Sequence, residues 1–486
     1  MPDDEDAEEE VTTGIAIEPL REDNRLRLAD RVAHDWYRFV LSFPPHLVRH
    51  YLDQFQVGPD AMVLDPFCGT GTTLVECKKL GIPSVGIEAN PMAHFASAVK
   101  LDWSPDPDGL LEHTRKIAGM AASRLKRDGL RDNDTPLFAS RSAGANLRTL
   151  PPELSKLLLR GSISPLPLHK ALLLLELIEA HEHRKFTRHE RLALARAIIS
   201  DISNLHFGPE VGVGPPKADA PVISSWLKRI RSTADDLRAL HDQAKTEAVV
   251  HNADSRNLSE VLGPKSIDAV ITSPPYPNEK DYTRTTRLES VLLGFIRSKQ
   301  DLRMLKQTLV RSNTRSVYKV DRDDALVAEH DEIQRIADAI ETRRIELGKT
   351  SGFERLYARV TKLYFGGMAR HLSHLRVVLR PGAQLAYVVG DQASYLRVMI
   401  RTGQLLADVA RSLGYELLSI DLFRTRLATA TREQLREEVV VLRWPGERPA
   451  PRAIPSQATM RGSGQVQRTA PSRKSEASIG RVRFAA

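Results

Sequence analysis

Short apolar runs alternate with amphipathic stretches along the middle of this 486-residue chain. The short runs are rich in β-branched residues and almost continuously apolar, which is typical of strands covered on both faces. They are AMVLDPF (61–67), SVGIEAN (84–90), IDAVITS (267–273), QLAYVVGD (384–391), YELLSID (415–421) and EEVVVLR (437–443). Strands that alternate with helices in this way predict an α/β fold with a mostly parallel sheet.

Two long helical tracts interrupt the alternation. The first, 105–248, carries leucine-rich amphipathic runs and then a Gly/Pro loop, GPEVGVGPP, while the second, 297–372, is highly charged. Neither tract belongs to a minimal α/β unit, so each is predicted to be an insertion. The predicted core then consists of a first part, 23–104, and a second part, 249–444, which contains the second insertion.

The two ends of the chain differ in charge. Residues 1–22 are acidic without periodicity, and residues 445–486 are rich in Pro, Ser, Gln, Ala and Arg. Both compositions predict disordered tails. The basic tail is a candidate for a loose electrostatic contact with a nucleic-acid backbone, and a solvated tail without function is the alternative.

Composition narrows the class of protein. The formal net charge of +8 and pI of about 9.4 favour a polyanionic partner, first of all nucleic acid, with a solubilising surface as the alternative. Two cysteines exclude a disulfide scaffold and a cysteine-rich zinc module. The acidic opening PDDEDAEEE is unlike a signal peptide, and the longest apolar run, ALLLLELI, is too short to cross a bilayer. We therefore expect a cytoplasmic protein with no membrane partner.

The turn after the first predicted strand carries candidate ligand-binding residues. In VLDPFCGTGTT, Gly69 and Gly71 permit positive φ and close approach of a ligand, and the next helix offers unpaired amides. Leu74 replaces the third glycine of a dinucleotide fingerprint, and no Walker lysine follows. Glu88 ends the second strand, where it can accept hydrogen bonds from ribose hydroxyls, and Asp254 adds another acid. The pattern favours a ligand with an adenosine and a cationic or amino-acid tail.

A further motif is ITSPPY, in which an apolar run ends in two consecutive prolines. Prolines cannot continue a sheet ladder or a helix, so the strand must stop there. It presents Ser273, Tyr276 and carbonyls without competing N–H donors.

Together, DPFCGTGTT, GIEANP, NADSRN and TSPPY resemble the motifs of the S-adenosylmethionine-dependent DNA amino-methyltransferases. These enzymes methylate the exocyclic N4 of cytosine or N6 of adenine. The resemblance covers 36–103 and 250–443. It implies a Rossmann-like methyltransferase fold with a mostly parallel seven-stranded sheet and one antiparallel strand at the end. It further implies S-adenosylmethionine as cofactor, double-stranded DNA as substrate, no metal, and a cognate restriction endonuclease as a candidate partner.

The resemblance assigns roles to individual residues. The Ser273 hydroxyl and the Pro274 carbonyl are expected to accept the hydrogens of the amine, with Pro275 adding rigidity and Tyr276 stacking on a base extruded from the duplex. The residues expected to contact the flipped nucleotide or its phosphates are Asp281, Tyr282 and Arg284. Those expected to bind the cofactor are Phe43, Pro44, Asp65, Pro66, Phe67, Gly69, Thr70, Gly71, Thr72, Glu88 and Asp254.

Several alternatives stay open. The serine of SPPY favours cytosine N4, with adenine N6 as the alternative; an RNA amino-methyltransferase and a catalytically silent binding module are less favoured. Methylation of cytosine at C5 is disfavoured because it needs a cysteine nucleophile on the catalytic side of the site, whereas Cys68 and Cys77 lie in the cofactor turn and the next helix.

The cofactor motifs precede the catalytic motif, unlike the common order for this motif pair, so the target-recognition region is hard to place. The first insertion is the leading candidate and the second is its rival.

Two stretches of the first insertion have their own interpretations. Trp226, in the basic stretch SSWLKRIR, either faces DNA or anchors a helix to the core. The histidines of HEHRKFTRH are predicted to form a solvated helix end.

Overall fold

The computed structural model describes residues 26–38, 42–132, 146–207, 211–278, 280–427 and 434–446. The predictions of disordered tails at 1–22 and 445–486 therefore lie outside the described residues, apart from 445–446. The helices are α1 (Pro45–Gln54), α2 (Thr72–Lys79), α3 (Pro91–Lys100), α4 (Pro107–Arg127), α5 (Pro152–Ser155), α6 (Pro165–Ala180), α7 (Thr187–Ala197), α8 (Val222–Ala239), α9 (Tyr282–Thr285), α10 (Arg287–Leu292), α11 (Lys299–Thr308), α12 (Asp331–Glu346), α13 (Tyr357–Val378) and α14 (Thr402–Ser412). The strands are β1 (Val63–Asp65), β2 (Ser84–Ile87), β3 (Leu205–Phe207), β4 (Val211–Val213), β5 (Ala248–His251), β6 (Ile267–Thr272), β7 (Leu379–Gly390), β8 (Glu416–Leu427) and β9 (Gln434–Arg443).

Seven strands form one sheet in the order β5-β2-β1-β6-β7-β9-β8. The pairs from β5 to β7 are parallel, whereas β9 is antiparallel to both β7 and β8. This arrangement confirms the predicted α/β fold with a mostly parallel seven-stranded sheet and one antiparallel strand. The strand order reverses between the neighbouring strands β1 and β6, and ligands of open α/β sheets bind beyond the carboxyl ends of the strands at such a point.

Two elements of the fold were missed by the sequence pattern. β5 pairs with β2 at the edge of the sheet, and its residues are mostly half-buried, so it lacks the continuous apolar character of the inner strands. The second is a hairpin of β3 and β4, where a Gly/Pro loop was predicted. Both are short strands whose side chains are only partly covered.

Close packing explains how the glycine turn is held against the sheet. β1 is fully buried, and α2 follows it across the face of β2. A Cβ at Gly86 of β2 would stand 2.5 Å from Cδ1 of Leu74 and 2.9 Å from Sγ of Cys68. Glycine at this position therefore lets α2 and the preceding turn approach the strand.

The first insertion contains α4 and α6 to α8, which pack on one another around a leucine-rich core. Trp226 is fully buried in α8, and its indole N–H donates to the Glu190 carbonyl at 2.8 Å. The reading of Trp226 as a core anchor is therefore confirmed. His189 is also buried and lies 2.9 Å from the Asp102 carbonyl, so the predicted solvated helix end was wrong for this residue.

The second insertion, with α11 to α13, is tied to the core by a buried guanidinium. Arg256, which follows β5, pairs with Asp254 at 2.7 Å and with Asp323 at 2.8 Å, and donates to the Gln307 carbonyl at 2.8 Å. The insertion is thus fixed to the loop that follows β5. Among the described residues, no helix combines the length and hydropathy that a membrane span requires.

Candidate active site

A cavity of about 600 Å³ opens beyond the carboxyl ends of β1, β2 and β6. This volume is within the range of pockets that enclose small molecules and cofactors. The predicted site residues that line it are Phe43, Pro66, Phe67, Gly69, Thr70, Thr72, Glu88, Ser273, Pro274, Pro275, Tyr276, Asp281 and Tyr282. The structure therefore brings the glycine turn and the SPPY strand end together at one cavity.

Five predicted residues do not line this cavity: Pro44, Asp65, Gly71, Asp254 and Arg284. The Asp254 carboxylate forms an ion pair with the Arg256 guanidinium and does not line the cavity. Gly71 has φ of +80°, and a Cβ there would stand 2.3 Å from Oγ of Ser97 on α3. Glycine at this position is therefore explained by helix packing.

Glu88 shapes the glycine turn through its carboxylate. One oxygen accepts a hydrogen bond from the Gly69 amide at 2.8 Å, and the other accepts from the Asn90 amide at 2.7 Å. Burial raises the pKa of Glu88 to about 7, although both amides favour the ionised form. Each oxygen keeps a lone pair for a further donor, so the carboxylate can bind hydroxyl groups in the cavity.

Asp65 lies beneath the cavity and joins the two motifs. Its Oδ1 accepts hydrogen bonds from the Thr272 hydroxyl at 2.6 Å and from the Phe67 amide at 3.1 Å. The Thr73 hydroxyl adds a second connection by donating to the Ile271 carbonyl at 3.1 Å. Burial raises the pKa of Asp65 to about 6. The glycine turn after β1 and the strand end after β6 are therefore held in a fixed relation.

The SPPY strand end is supported by β7. The Ser273 hydroxyl donates to the Val388 carbonyl at 3.1 Å, which leaves its oxygen lone pairs as acceptors. The ring of Tyr276 lies against Gly390, where a Cβ would stand 2.9 Å from its Cε2. Burial, assisted by Glu437, raises the pKa of Tyr276 further above its usual value, so the phenol is neutral at physiological pH.

Other residues line the cavity that the sequence did not single out. One group lies between the SPPY motif and α9, and others belong to the second insertion and to the segments after β7. They include Asn278, Lys280, Lys306, Ser312, Asn313, Ser316, Gln392, Ser394, Arg424 and Glu437. The charged members are mostly paired: Lys306 with Asp281 at 2.7 Å, and Arg424 with Glu437 at 2.6 Å. No local motif marks these residues, because their partners are distant in sequence.

Within the described part of the chain, no group of three or more His, Cys, Asp or Glu side chains converges as metal ligands do. Cys68 and Cys77 are buried, and burial raises the pKa of each thiol above its usual value. Neither cysteine has the thiolate character of a nucleophile.

Comparisons with known proteins agree with the motifs. A family model for DNA methylases of the N6/N4 type matches residues 19–98. The chain is 24% identical over 441 residues to Type II methyltransferase M.BsoBI of Geobacillus stearothermophilus, covering 84% of each chain. It is 24% identical over 455 residues to Type II methyltransferase M.AvaI of Nostoc sp., covering 84% of this chain and 86% of the relative. Type II methyltransferase M.MjaII of Methanocaldococcus jannaschii is 41% identical over 69 residues, which is 14% of this chain and 13% of the relative.

Among solved structures, TrmN from Thermus thermophilus aligns with a TM-score of 0.29 and 11% identity. The alignment covers 85% of this chain and spans about half of TrmN, 52%. The fold assignment therefore rests on the strand order of this chain itself. The family match over residues 19–98 and the relatives that align along most of the chain confirm the resemblance drawn from the motifs: this chain is similar to the DNA amino-methyltransferases of the N6-adenine/N4-cytosine type.

Proposed function

We propose that the protein is a site-specific DNA methyltransferase that transfers a methyl group from S-adenosylmethionine to the exocyclic N4 of cytosine in an extruded base. The observation that carries this proposal is that the glycine turn and the SPPY strand end line one cavity. The family model for DNA methylases supports the choice of DNA as substrate.

The residues of the glycine turn fit the proposed cofactor. Gly69 has φ of +52° and open space where a Cβ would be, so a ligand can approach the backbone there. The Glu88 carboxylate would accept hydrogen bonds from the ribose hydroxyls, and Phe43 would border the methionine part. When bound, S-adenosylmethionine supplies an electrophilic methyl group.

The chain's own residues prepare the amine for attack. The lone pair of an aromatic amine is delocalised into its ring, so the enzyme has to localise it. The Ser273 oxygen and the Pro274 carbonyl would accept the two amine hydrogens and favour a tetrahedral nitrogen. Tyr276, neutral and backed by Gly390, would stack on the extruded base. The remaining contacts to the nucleotide are proposed for Asp281, Tyr282 and Arg284.

Two further elements of the proposal follow from the relatives and the motif. The serine of SPPY favours cytosine over adenine within the family. The name Type II of the relatives supports a restriction-modification system, in which a restriction endonuclease with the same recognition sequence would be the partner.

The test is to incubate the protein with labelled S-adenosylmethionine and bacterial DNA and to analyse the digested nucleosides. N4-methylcytosine is expected. N6-methyladenine would establish the alternative base, and no labelled nucleoside from folded protein would contradict the enzyme and favour a silent binding module.

Tyr276→Ala is expected to lower turnover far more than cofactor affinity, because the ring would contact the base. Tyr276→Phe is the matched control, since it keeps the ring and should keep most of the turnover. Equal losses of turnover and cofactor affinity in Tyr276→Ala would count against stacking.

A further inference from the structure

One wall of the methyl-transfer cavity comes from the second insertion. Its polar members are Lys306, Thr308, Ser312, Asn313 and Ser316. The described residues of the first insertion, 105–248, contribute nothing to the lining. Whatever enters this cavity beside the SPPY strand end therefore meets the second insertion.

This wall is attached to the loop that carries the SPPY motif. The Lys306 ammonium pairs with Asp281 at 2.7 Å; the Asp281 side chain is buried, and that of Lys306 is 12% exposed. Asp281 also caps α9 by accepting from the Thr283 amide. The amide of Asn313 donates to the Lys280 carbonyl at 3.1 Å. Two contacts thus hold the wall at a fixed position relative to the amine acceptors.

The wall is also rigid on its other side. Arg311 forms a buried pair with Asp321 at 2.8 Å, and the Tyr395 hydroxyl donates to the Ser312 carbonyl at 2.8 Å. Asn313 is only 4% exposed. Burying polar side chains is costly unless each is paired, so this segment is built for precise placement of its polar atoms.

Asn313 has hydrogen-bonding capacity that its protein partners do not fill. Its Oδ1 accepts from the Arg315 amide at 3.1 Å, which fixes the orientation of the side chain. One hydrogen of Nδ2 goes to the Lys280 carbonyl, while the other has only Oγ of Ser312, at 3.5 Å. That distance is beyond the usual N–H···O range of 2.7–3.2 Å. The second hydrogen is therefore a donor suited to a ligand in the cavity.

We propose that this segment of the second insertion holds the extruded base, and that the Asn313 amide donates to the ring nitrogen beside the methylated amine. The inference rests on the proposed function. The amine carbon of cytosine or adenine has a ring nitrogen as its neighbour, N3 or N1, and that atom is an acceptor. An enzyme that reads the Watson–Crick edge of an extruded base needs acceptors for the amine and a donor for this nitrogen. Ser273 and Pro274 supply the acceptors, and Asn313 supplies the donor.

The test is the variant Asn313→Asp, assayed after the target sequence has been mapped on DNA methylated by the unchanged protein. Aspartate keeps the oxygen that accepts from the Arg315 amide but replaces the donor with a charged acceptor. We expect kcat/KM for DNA to fall about 100-fold, with cofactor affinity within about twofold of the original. The second arm uses an oligonucleotide whose target base carries C–H in place of that ring nitrogen. The unchanged protein should methylate this oligonucleotide more slowly than the normal one. The Asn313→Asp variant should methylate the two oligonucleotides at equal rates.

Two further variants keep the test decisive. Ser316→Ala, a milder change in the same wall, should also lower kcat/KM for DNA, whereas Ser351→Ala, exposed in the same insertion, should not. If the unchanged protein methylates DNA and Asn313→Asp has a normal kcat/KM, this inference alone is overturned. The same holds if the modified base lowers the activity of Asn313→Asp by the same factor as it lowers that of the unchanged protein. No methylated nucleoside from the unchanged protein would overturn the proposed function and this inference with it.

Discussion

Gly390→Ala tests whether the position of the Tyr276 ring controls methyl transfer. The new methyl carbon would stand 2.9 Å from Cε2 and 3.3 Å from Cδ2 of the ring. Carbon atoms in contact prefer about 3.5–4.0 Å, so one partner has to move by roughly 0.5–1 Å. The backbone of Gly390 is held opposite Glu437 in the ladder of β7 and β9, so we expect the ring to move.

A displacement of this size has a calculable consequence. Misplacing a reacting group by about 1 Å can slow an enzyme about 100-fold. We therefore expect kcat to fall about 10- to 100-fold, with cofactor affinity unchanged and a stability loss of about 1–3 kcal/mol from overpacking. Single-turnover methyl transfer at saturating labelled cofactor and DNA measures the rate, and calorimetric titration with cofactor measures the cofactor affinity.

The matched control is Gly58→Ala, because that glycine has open space around it and no positive φ. The rate and the cofactor affinity of this control should not change. The two variants should also be non-additive: once Tyr276→Ala has removed the ring, the closest remaining neighbour of the new Cβ is Cγ of Glu437 at 3.3 Å, so adding Gly390→Ala should lower the rate far less than it does with the ring present. A normal rate for Gly390→Ala, or the same penalty with and without the ring, would refute this expectation.

Three further changes test the cofactor site, the anchor of the second insertion and the role of the buried tryptophan. Because burial raises the pKa of Glu88 to about 7, the carboxylate that accepts ribose hydroxyls forms as the pH rises through 7, and cofactor affinity should increase about 10-fold from pH 6 to 8. Glu88→Gln should bind more weakly with no such dependence, and an equal pH dependence in this variant would exclude Glu88 as the cause. Arg256→Ala leaves two aspartates without their buried partner and should cost about 3–5 kcal/mol in chemical denaturation, whereas Arg335→Ala, in an exposed pair, should change stability by no more than about 1 kcal/mol. Trp226→Phe should cost about 1–3 kcal/mol through its lost hydrogen bond and leave the DNA affinity of the folded protein unchanged; weaker DNA binding at full stability would argue for a DNA-facing role.

The inner sheet was predictable because each of its strands is covered on both faces and therefore almost continuously apolar. β5 was not, since an edge strand with half-buried residues has no such pattern. The glycine turn and the SPPY motif were recognisable because special backbone geometry requires special residues. Asp65 and Asp254 were predicted to bind the cofactor because both are acids close to the ends of strands. In the structure, the Asp65 carboxylate accepts from the Thr272 hydroxyl and the Asp254 carboxylate pairs with Arg256.

The wall formed by the second insertion was hidden for a different reason. Lys306 and Asp281 are 25 residues apart, and Asn313 reaches the Lys280 carbonyl across 33 residues. A stretch such as RSNTRS contains no periodicity and no special backbone requirement. Its place at the cavity depends on the packing of the whole insertion, which local sequence does not encode.

The neighbouring positions of β1 and β6 have a consequence for the evolution of such chains. The two motifs meet because their strands pair in parallel and because Thr272 binds Asp65 across that pair. Neither contact depends on which strand is synthesised first. A gene rearranged so that its product begins with the β6 half and returns to the β1 half would rebuild the same sheet edge, provided that the new connections are long enough. Circular permutation is therefore compatible with this site, and an unusual motif order is no evidence of altered chemistry.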